Sequence, residues 1–240
     1  FFLGHGQDTK AKDSLAPSQD TIRNNIVPAL LRALETERNN DIVTGALIAL
    51  AKIGDVPSED GASKFQEVIM PFLKDSSQEI AETAAVALGL LGNPASIKVL
   101  KHLLEDTSEG RGHVSSEGGV NYRTRAFAAY GLGQIGYFLE DEEKRQEIVE
   151  SLWKICESPR MSTRDIKVAA VIAMGLVPLP IAVEETPVEG AEPEEDEGPT
   201  APTTRQEQIE YLVKFFTADK DNNKHHYTRA HAPRAIAKLL

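Results

Sequence analysis

Apolar and small residues recur at helical spacing in five stretches of the chain. The stretch that defines the pattern, ETAAVALGLLG at 82–92, has counterparts at 44–54, 126–136, 168–178 and 230–240. Their last positions are separated by 38, 44, 42 and 62 residues. A period of about 40 residues is typical of helical repeat arrays, so the pattern predicts stacked helix pairs.

Each stretch is predicted to be the second helix of a pair, with one apolar face. The apolar positions lie at offsets 0, 3, 4, 7, 8 and 11 from Ile42 in the first copy, which is helical spacing. Small residues fill the fourth of these columns and are predicted to let neighbouring helices approach closely: Ala49, Ala87, Gly131, Ala173 and Ala235. Glycines are predicted to end three of the helices, at Gly54, Gly92 and Gly136.

The predicted organisation is a repeat array with two insertions. Residues 1–21 are interpreted as a tail or the end of a preceding element, and residues 22–180 as four repeats, at 22–54, 63–92, 94–136 and 143–178. A glycine- and serine-rich loop is predicted at 107–120 and an acidic, disordered linker at 181–204, because both have the composition of mobile loops. Residues 205–240 are predicted to form a fifth, truncated or atypical repeat.

Three of the second helices carry a recognisable motif: IAETAAVALG at 80–89, TRAFAAYGLG at 124–133 and IKVAAVIAMG at 166–175. These residues resemble HEAT repeats, particularly the short bacterial kind also found in phycobilisome lyase subunits. The resemblance covers about 22–180 and 205–240 and implies an all-α, right-handed α-α superhelix, a HEAT/armadillo-like solenoid of about five helix pairs.

The same resemblance implies a ladder of ion pairs between adjacent repeats. Its basic position, near the start of the second helix, is matched by Arg125, Lys167 and Arg229, whereas Val43 and Ala81 depart from it. The ladder is therefore expected in the later repeats and not in the first two.

Charge and composition exclude several classes of function. The net charge is −11, but residues 184–197 hold eight acids and no base, so the rest of the chain is close to balanced. General affinity for nucleic acid is not predicted. The uncharged run 168–183 is too short, and too interrupted by proline, to insert into a membrane. The one cysteine, Cys156, lies in an apolar helical stretch and is predicted to be buried and inert.

Three motifs suggest chemistry that their context does not support. The glycines of 131–136 spell G-x-G-x-x-G, but a dinucleotide site needs a preceding strand, so they are interpreted as helix packing. Residues 219–224 lack the glycine and glutamate of a calcium loop. The spacing of three histidines does not suit one helical face: His225, His226 and His231. No catalytic, cofactor-binding or metal residue is predicted.

A group of basic residues is the candidate partner-binding set. They recur around the start of the second helices in the third to fifth repeats: Arg123, Arg125, Arg164, Lys167 and Arg229. One interpretation is a solvated or internally paired ladder. The other is a stripe that binds another protein through an acidic segment, along a surface that extended partners use in such arrays. The chain's own acidic residues 184–197 would be a competing occupant of that stripe.

The sequence favours a non-enzymatic protein-binding scaffold without a cofactor, because a repeat array has no single pocket where catalytic groups converge. Two alternatives stay open. The resemblance implies an enzyme accessory or chromophore-lyase-like subunit, in which the fold assists attachment of a bilin to a carrier. The chain is otherwise a structural spacer within a longer multidomain protein.

Overall fold

The fold consists of paired α-helices. The computed structural model describes residues 17–58, 61–115, 118–158, 163–182, 200–218 and 226–240, and no β-strand occurs within these ranges. The all-α solenoid that the sequence predicts is confirmed. The predicted tail up to residue 16 and the acidic run 184–197 lie outside the described residues.

The first two pairs contain an early π-helical turn and a 3₁₀ segment. A short α1 (Gln19–Thr21) continues through a π-helical turn (Ile22–Ile26) into α2 (Val27–Thr36), which packs against α3 (Asn40–Ile53). The second pair is α4 (Lys64–Ile69), extended by a 3₁₀ segment (Met70–Lys74), and α5 (Gln78–Leu91).

The remaining helices form the third to fifth pairs. The third pair is α6 (Ser96–Glu105) and α8 (Tyr122–Phe138), with the short α7 (Ser108–Gly112) between them. The fourth is α9 (Glu142–Glu157) with α10 (Arg164–Met174). In the fifth, α11 (Arg205–Thr217) is followed by α12 (His226–Arg229) and α13 (Ala232–Leu239).

Side-chain caps fix where several of these helices begin. Asn39 accepts hydrogen bonds from the N–H groups of Asp41 and Ile42 at the start of α3, and Asn121 accepts from Arg123 at the start of α8. Such bonds satisfy amide groups that have no partner inside the helix. The caps therefore set the register of the second helices, on which the rest of the array depends.

The second helices stack on one another through glycine and alanine. A Cβ built on Gly89 of α5 would lie 2.2 Å from the Cα of Gly131 in α8. One on Gly133 would lie 2.8 Å from the Cα of Ala173 in α10, and one on Gly175 would lie 2.4 Å from the Cα of Ala235 in α13. The backbones thus meet without intervening side chains, as the small-residue column predicts.

One predicted helix end is wrong. Gly54 and Gly92 follow the last residues of α3 and α5 with φ of 71° and 73°, conformations that favour glycine. Gly136, by contrast, is buried inside α8, which continues to Phe138. The side chain of Val177 packs against Gly136 and leaves no room for a larger residue, since a Cβ on Gly136 would lie 2.6 Å from Val177 Cγ2.

The predicted loop at 107–120 contains ordered structure. Its residues 108–112 form α7. Asp106, just before the segment, bonds to Arg111 of α7 and to Val120 at the end of the segment. Its carboxylate accepts from Arg111 Nε at 3.0 Å and from the N–H of Val120 at 2.7 Å. The hydrogen bond from Arg111 keeps the pKa of Asp106 below its ordinary value. The segment is therefore tied to the end of α6.

The second helix of the fifth repeat is broken in two, in keeping with an atypical unit. The break falls at Ala230 and His231, and Pro233 lies in the first turn of α13, where its missing N–H leaves no helical bond unmade. His231, at this break, is partly buried.

Candidate functional site

An open groove lies across three second helices, α3, α5 and α8. Its volume is about 450 Å³. The residues that line it are Asp41, Thr44, Gly45, Ile48, Thr83, Val86 and Phe127. We call this surface the second-helix groove. It is broad and shallow, which suits a segment of another macromolecule better than a small molecule.

The second-helix groove contains part of an apolar column that has one residue in each of the first four repeats. Ile48 and Val86 occupy equivalent positions in α3 and α5, and Tyr130 and Ile172 occupy them in α8 and α10. All four side chains are partly exposed. Phe127 meets Tyr130 edge to face, with ring centroids 6.2 Å apart, and burial raises the pKa of Tyr130.

The sequence analysis missed this column, although the repeat alignment contained it. The column lies at offset six from Ile42, between two predicted core columns, and it is apolar in four consecutive repeats. In the fifth repeat the position is Arg234, which is exposed. An apolar residue at the same position of four consecutive repeats, outside the core columns, is the signal that would have indicated the groove.

Two carboxylates form an acidic rim at the N-terminal end of the groove. Asp41 and Glu79 are exposed in the first turns of α3 and α5, where the helix dipole favours negative charge. Asn40 connects the two turns by donating to Ser77 Oγ at 2.9 Å and to Glu79 Oε2 at 3.4 Å. In the described ranges, no basic group lies within 4 Å of either carboxylate.

Beside the groove lies a buried acid, Glu82, one residue before Thr83 and one turn before Val86. Its side chain is 4% exposed and pairs with Arg123 across the α5–α8 interface, with Nη2 to Oε2 at 2.9 Å. Its other oxygen, Oε1, is buried and has no hydrogen-bond partner among the described residues. A buried carboxylate in this state depends on its one ion pair.

Replacing Arg123 with methionine should lower the free energy of unfolding by about 2 kcal/mol, because Glu82 would keep a buried charge without a partner. The double variant with Glu82→Gln should recover part of that loss, since the carboxylate charge is then absent. Urea unfolding of the four members of this cycle measures the coupling. Additive losses would contradict a direct Arg123–Glu82 interaction.

Three of the predicted partner-binding residues support the first helix of their own repeat. Arg125 Nε donates to the carbonyl of Leu104 at 2.8 Å, Lys167 Nζ to that of Cys156 at 2.9 Å, and Arg229 Nε to that of Phe216 at 2.7 Å. Each acceptor lies in the last turn of α6, α9 or α11, where a cation is favourable.

The expected ion pairs with the next repeat are not formed by Lys167 or Arg229 among the described residues, and at Arg125 the ladder stays a prediction. Lys167 and Arg229 instead donate to carbonyl groups of their own repeat. Two ion pairs do join adjacent repeats: Arg123, two residues before the predicted basic position, pairs with Glu82, and Lys101 of α6 pairs with Glu147 of α9.

Arg164 lies apart from those three contacts. It is exposed at the start of α10, with its guanidinium carbon 5.1 Å from the ring centroid of Tyr227 in α12, a cation–π geometry. The structure thus places the five basic residues in different settings.

The other candidate motifs have structural explanations where the structure describes them. Gly131 and Gly133 lie inside α8 and pack against neighbouring helices, so the glycine motif is not a nucleotide loop. The turn 219–224 and His225 lie outside the described residues. Within the described part of the chain, no group of three or more His, Cys, Asp or Glu residues could hold a metal ion.

Cys156 is buried, as predicted, and burial raises the pKa of its thiol to about 12. A thiol that stays protonated at neutral pH is a poor nucleophile, so Cys156 is part of the core. None of the helices in the described ranges is long and apolar enough to cross a membrane.

A second groove, of about 370 Å³, lies on the first-helix side of the array. It is lined by residues from the ends of α6 and α9 and just beyond: Glu105, Trp153, Lys154, Ile155, Glu157 and Ser158. It involves two repeats, whereas the second-helix groove involves three and continues along an apolar column. We therefore take the second-helix groove as the candidate site.

Comparison with known proteins gives one match by sequence and several by structure. Residues 80–106, which span α5 and α6, match the profile of the PBS lyase HEAT-like repeat. No curated protein matches the chain.

The structure is similar to a chain from the complex of CpcE and CpcF of phycocyanin lyase from Nostoc sp. PCC7120. The identity is 16% and the TM-score 0.53, over 87% of this chain and 96% of that one. Two engineered proteins match with TM-scores of 0.44 and 0.42, at 19% and 18% identity. They cover 89% and 91% of this chain, and 80% and 48% of their own, and add nothing to the assignment.

The fold is that of a helical repeat protein. Within it, the repeat at 80–106 is HEAT-like, of the PBS lyase type.

The prediction that the chain is not an enzyme is contradicted by these comparisons. It rested on the lack of a pocket with convergent catalytic groups. The matched repeat, however, is named for a lyase, and a lyase complex contains a chain of this fold. A shallow groove on a helical array is thus no argument against an enzymatic role.

Proposed function

We propose that the chain is a subunit of a lyase-type enzyme that acts on a protein partner, in the manner of a chromophore lyase. The observation that carries the proposal is the match of residues 80–106 to the PBS lyase HEAT-like repeat. That repeat supplies Thr83 and Val86, which line the second-helix groove. The function of such a subunit would be to hold a carrier protein while a chromophore is attached.

The groove favours a role in positioning rather than in bond making by a single side chain. Its lining is apolar apart from the carboxylate of Asp41 and two threonine hydroxyls. Such a surface binds and orients, and holding two reactants together can itself accelerate a reaction strongly. The protein partner is therefore part of the proposed active assembly.

The five basic residues enter the proposal with different roles. Arg123 and Arg164 are exposed and are proposed to contact a partner, whereas Arg125, Lys167 and Arg229 are proposed to contribute mainly by holding the first helices. An acidic segment of the partner is the proposed ligand of Arg164, which lies at the start of α10 and does not line the second-helix groove.

The proposal is tested by incubating the purified chain with a free bilin and an apo-phycocyanin subunit. We expect the bilin absorption band to shift and to co-elute with the carrier faster than with the carrier alone. The carrier without the chain measures spontaneous addition. The same rate with and without the chain, also after a second lyase subunit is added, would overturn the proposal.

A further inference from the structure

We infer that the second-helix groove binds an amphipathic partner segment that carries apolar side chains on one face and lysine or arginine next to them. The inference rests on the proposed function only in requiring a protein partner. It states that the partner segment at this groove is basic, whereas the sequence alone indicated an acidic segment.

Charge complementarity points to a basic segment. The exposed charges in the first turns of α3 and α5 are Asp41 and Glu79. The cation before α3, Arg38, donates to the carbonyls of Glu35 and Glu37, and Lys52 lies at the far end of α3. The adjacent cation, Arg123, is already bound to Glu82. An approaching segment therefore meets two carboxylates without basic neighbours among the described residues, which favours a cation.

A third carboxylate, Glu82, lies three residues after Glu79 on α5. Glu82 Oε1 is buried and unpartnered among the described residues, in the helix turn that also carries Thr83 and Val86. An unsatisfied buried acceptor is costly and is relieved when a donor reaches it. A lysine or arginine at the acidic rim is the kind of donor that would do so.

The apolar column gives the length of the segment. Stacked helices lie about 9 Å apart, so Ile48, Val86, Tyr130 and Ile172 extend over about 27 Å. A helix of about 18 residues covers that distance at 1.5 Å per residue. Its apolar side chains would recur about every two turns to meet the column.

The inference is tested with two synthetic helical peptides of about 18 residues. Both carry leucine at the same positions, and the remaining positions are lysine in one and glutamate in the other. Fluorescence anisotropy measures their affinity for the full chain, with no bilin present, so the result is independent of lyase activity. We expect the leucine–lysine peptide to bind more tightly by about tenfold.

Two charge-reversal variants separate groove binding from general attraction to an acidic protein. Asp41→Lys with Glu79→Lys should remove the preference for the lysine peptide. Glu142→Lys with Glu143→Lys makes the same change in net charge, also at exposed acids in the first turn of a helix, α9, and should leave it intact. Circular dichroism confirms that both variants are folded.

Three results would overturn the inference: equal binding of the two peptides, no binding of either, or the same loss in both variants. Self-association of the chain that the peptide cannot displace would also overturn it, because a second copy would then occupy the groove. None of these results determines the outcome of the bilin-transfer experiment, so the inference and the proposed function can fail independently.

Discussion

Replacing Gly89 with alanine lowers the free energy of unfolding by about 3 kcal/mol, at the upper end of what overpacking a core costs. The added Cβ would lie 2.2 Å from the Cα of Gly131 and 2.8 Å from its carbonyl oxygen. Both contacts are with backbone, so no side-chain rotation relieves them. The helices α5 and α8 must move apart, and the packing around them loosens.

Gly45→Ala is the matched control for this substitution. Gly45 lies inside α3, is exposed, and has nothing within 4 Å of a built Cβ. Alanine there should raise the free energy of unfolding by about 0.5–1 kcal/mol, because glycine weakens a helix. Urea unfolding measures both variants. Effects of the same sign would contradict the close packing of the second helices.

Replacing Gln208 with leucine lowers the free energy of unfolding by about 3 kcal/mol or more. Gln208 is fully buried, and its Nε2 donates to the carbonyls of Met174 and Val177, both at 2.8 Å. Its Oε1 accepts from the N–H of Leu179 at 3.3 Å. Leucine has a similar volume but would leave the carbonyl of Val177 and the N–H of Leu179 without this partner, and the carbonyl of Met174 with only the N–H of Val177 as a donor.

A second glutamine of α11, Gln206, provides the control for this substitution. Gln206, two positions earlier, is exposed and bonds only to Glu210 in the next turn, at 2.7 Å, so Gln206→Leu should change stability by less than about 0.5 kcal/mol. Differential scanning calorimetry compares the two variants. An equally small change for Gln208→Leu would contradict its role in joining the fourth and fifth repeats.

The sequence predicts the array because its strongest signals are periodic. The helix pairs follow from the repeat of apolar columns, and the close helix approach follows from the small column that contains Gly131 and Ala173. Both properties depend on residue type and spacing alone. The glycines at 54 and 92 end helices for the same local reason, since they take positive φ.

The failures concern residues whose role depends on a neighbouring repeat. Gly136 does not end its helix because Val177 of the next repeat occupies the space a side chain would need. Glu82 is charged and occupies a position that the motif leaves unspecified, yet α8 buries it and Arg123 pairs with it. Neither effect is visible in the separate repeats.

The candidate site was only partly predictable. The sequence predicted a partner-binding site around the start of the second helices, where Asp41, Glu79 and Arg123 lie. It also favoured basic residues there as partner contacts, since charge is easier to recognise than a half-exposed apolar column. Arg125, Lys167 and Arg229 instead bond to carbonyl groups at the ends of first helices, which a linear pattern does not reveal.

The central claim is that the second-helix groove is the functional surface of a lyase-type subunit. Oxidative footprinting of the chain, with and without the bilin carrier, tests it directly. We predict that oxidation falls at Phe127 and Tyr130 when the carrier binds and stays unchanged at Phe216, an exposed aromatic on α11. Protection of Phe216 with no change at Phe127 and Tyr130 would contradict the account.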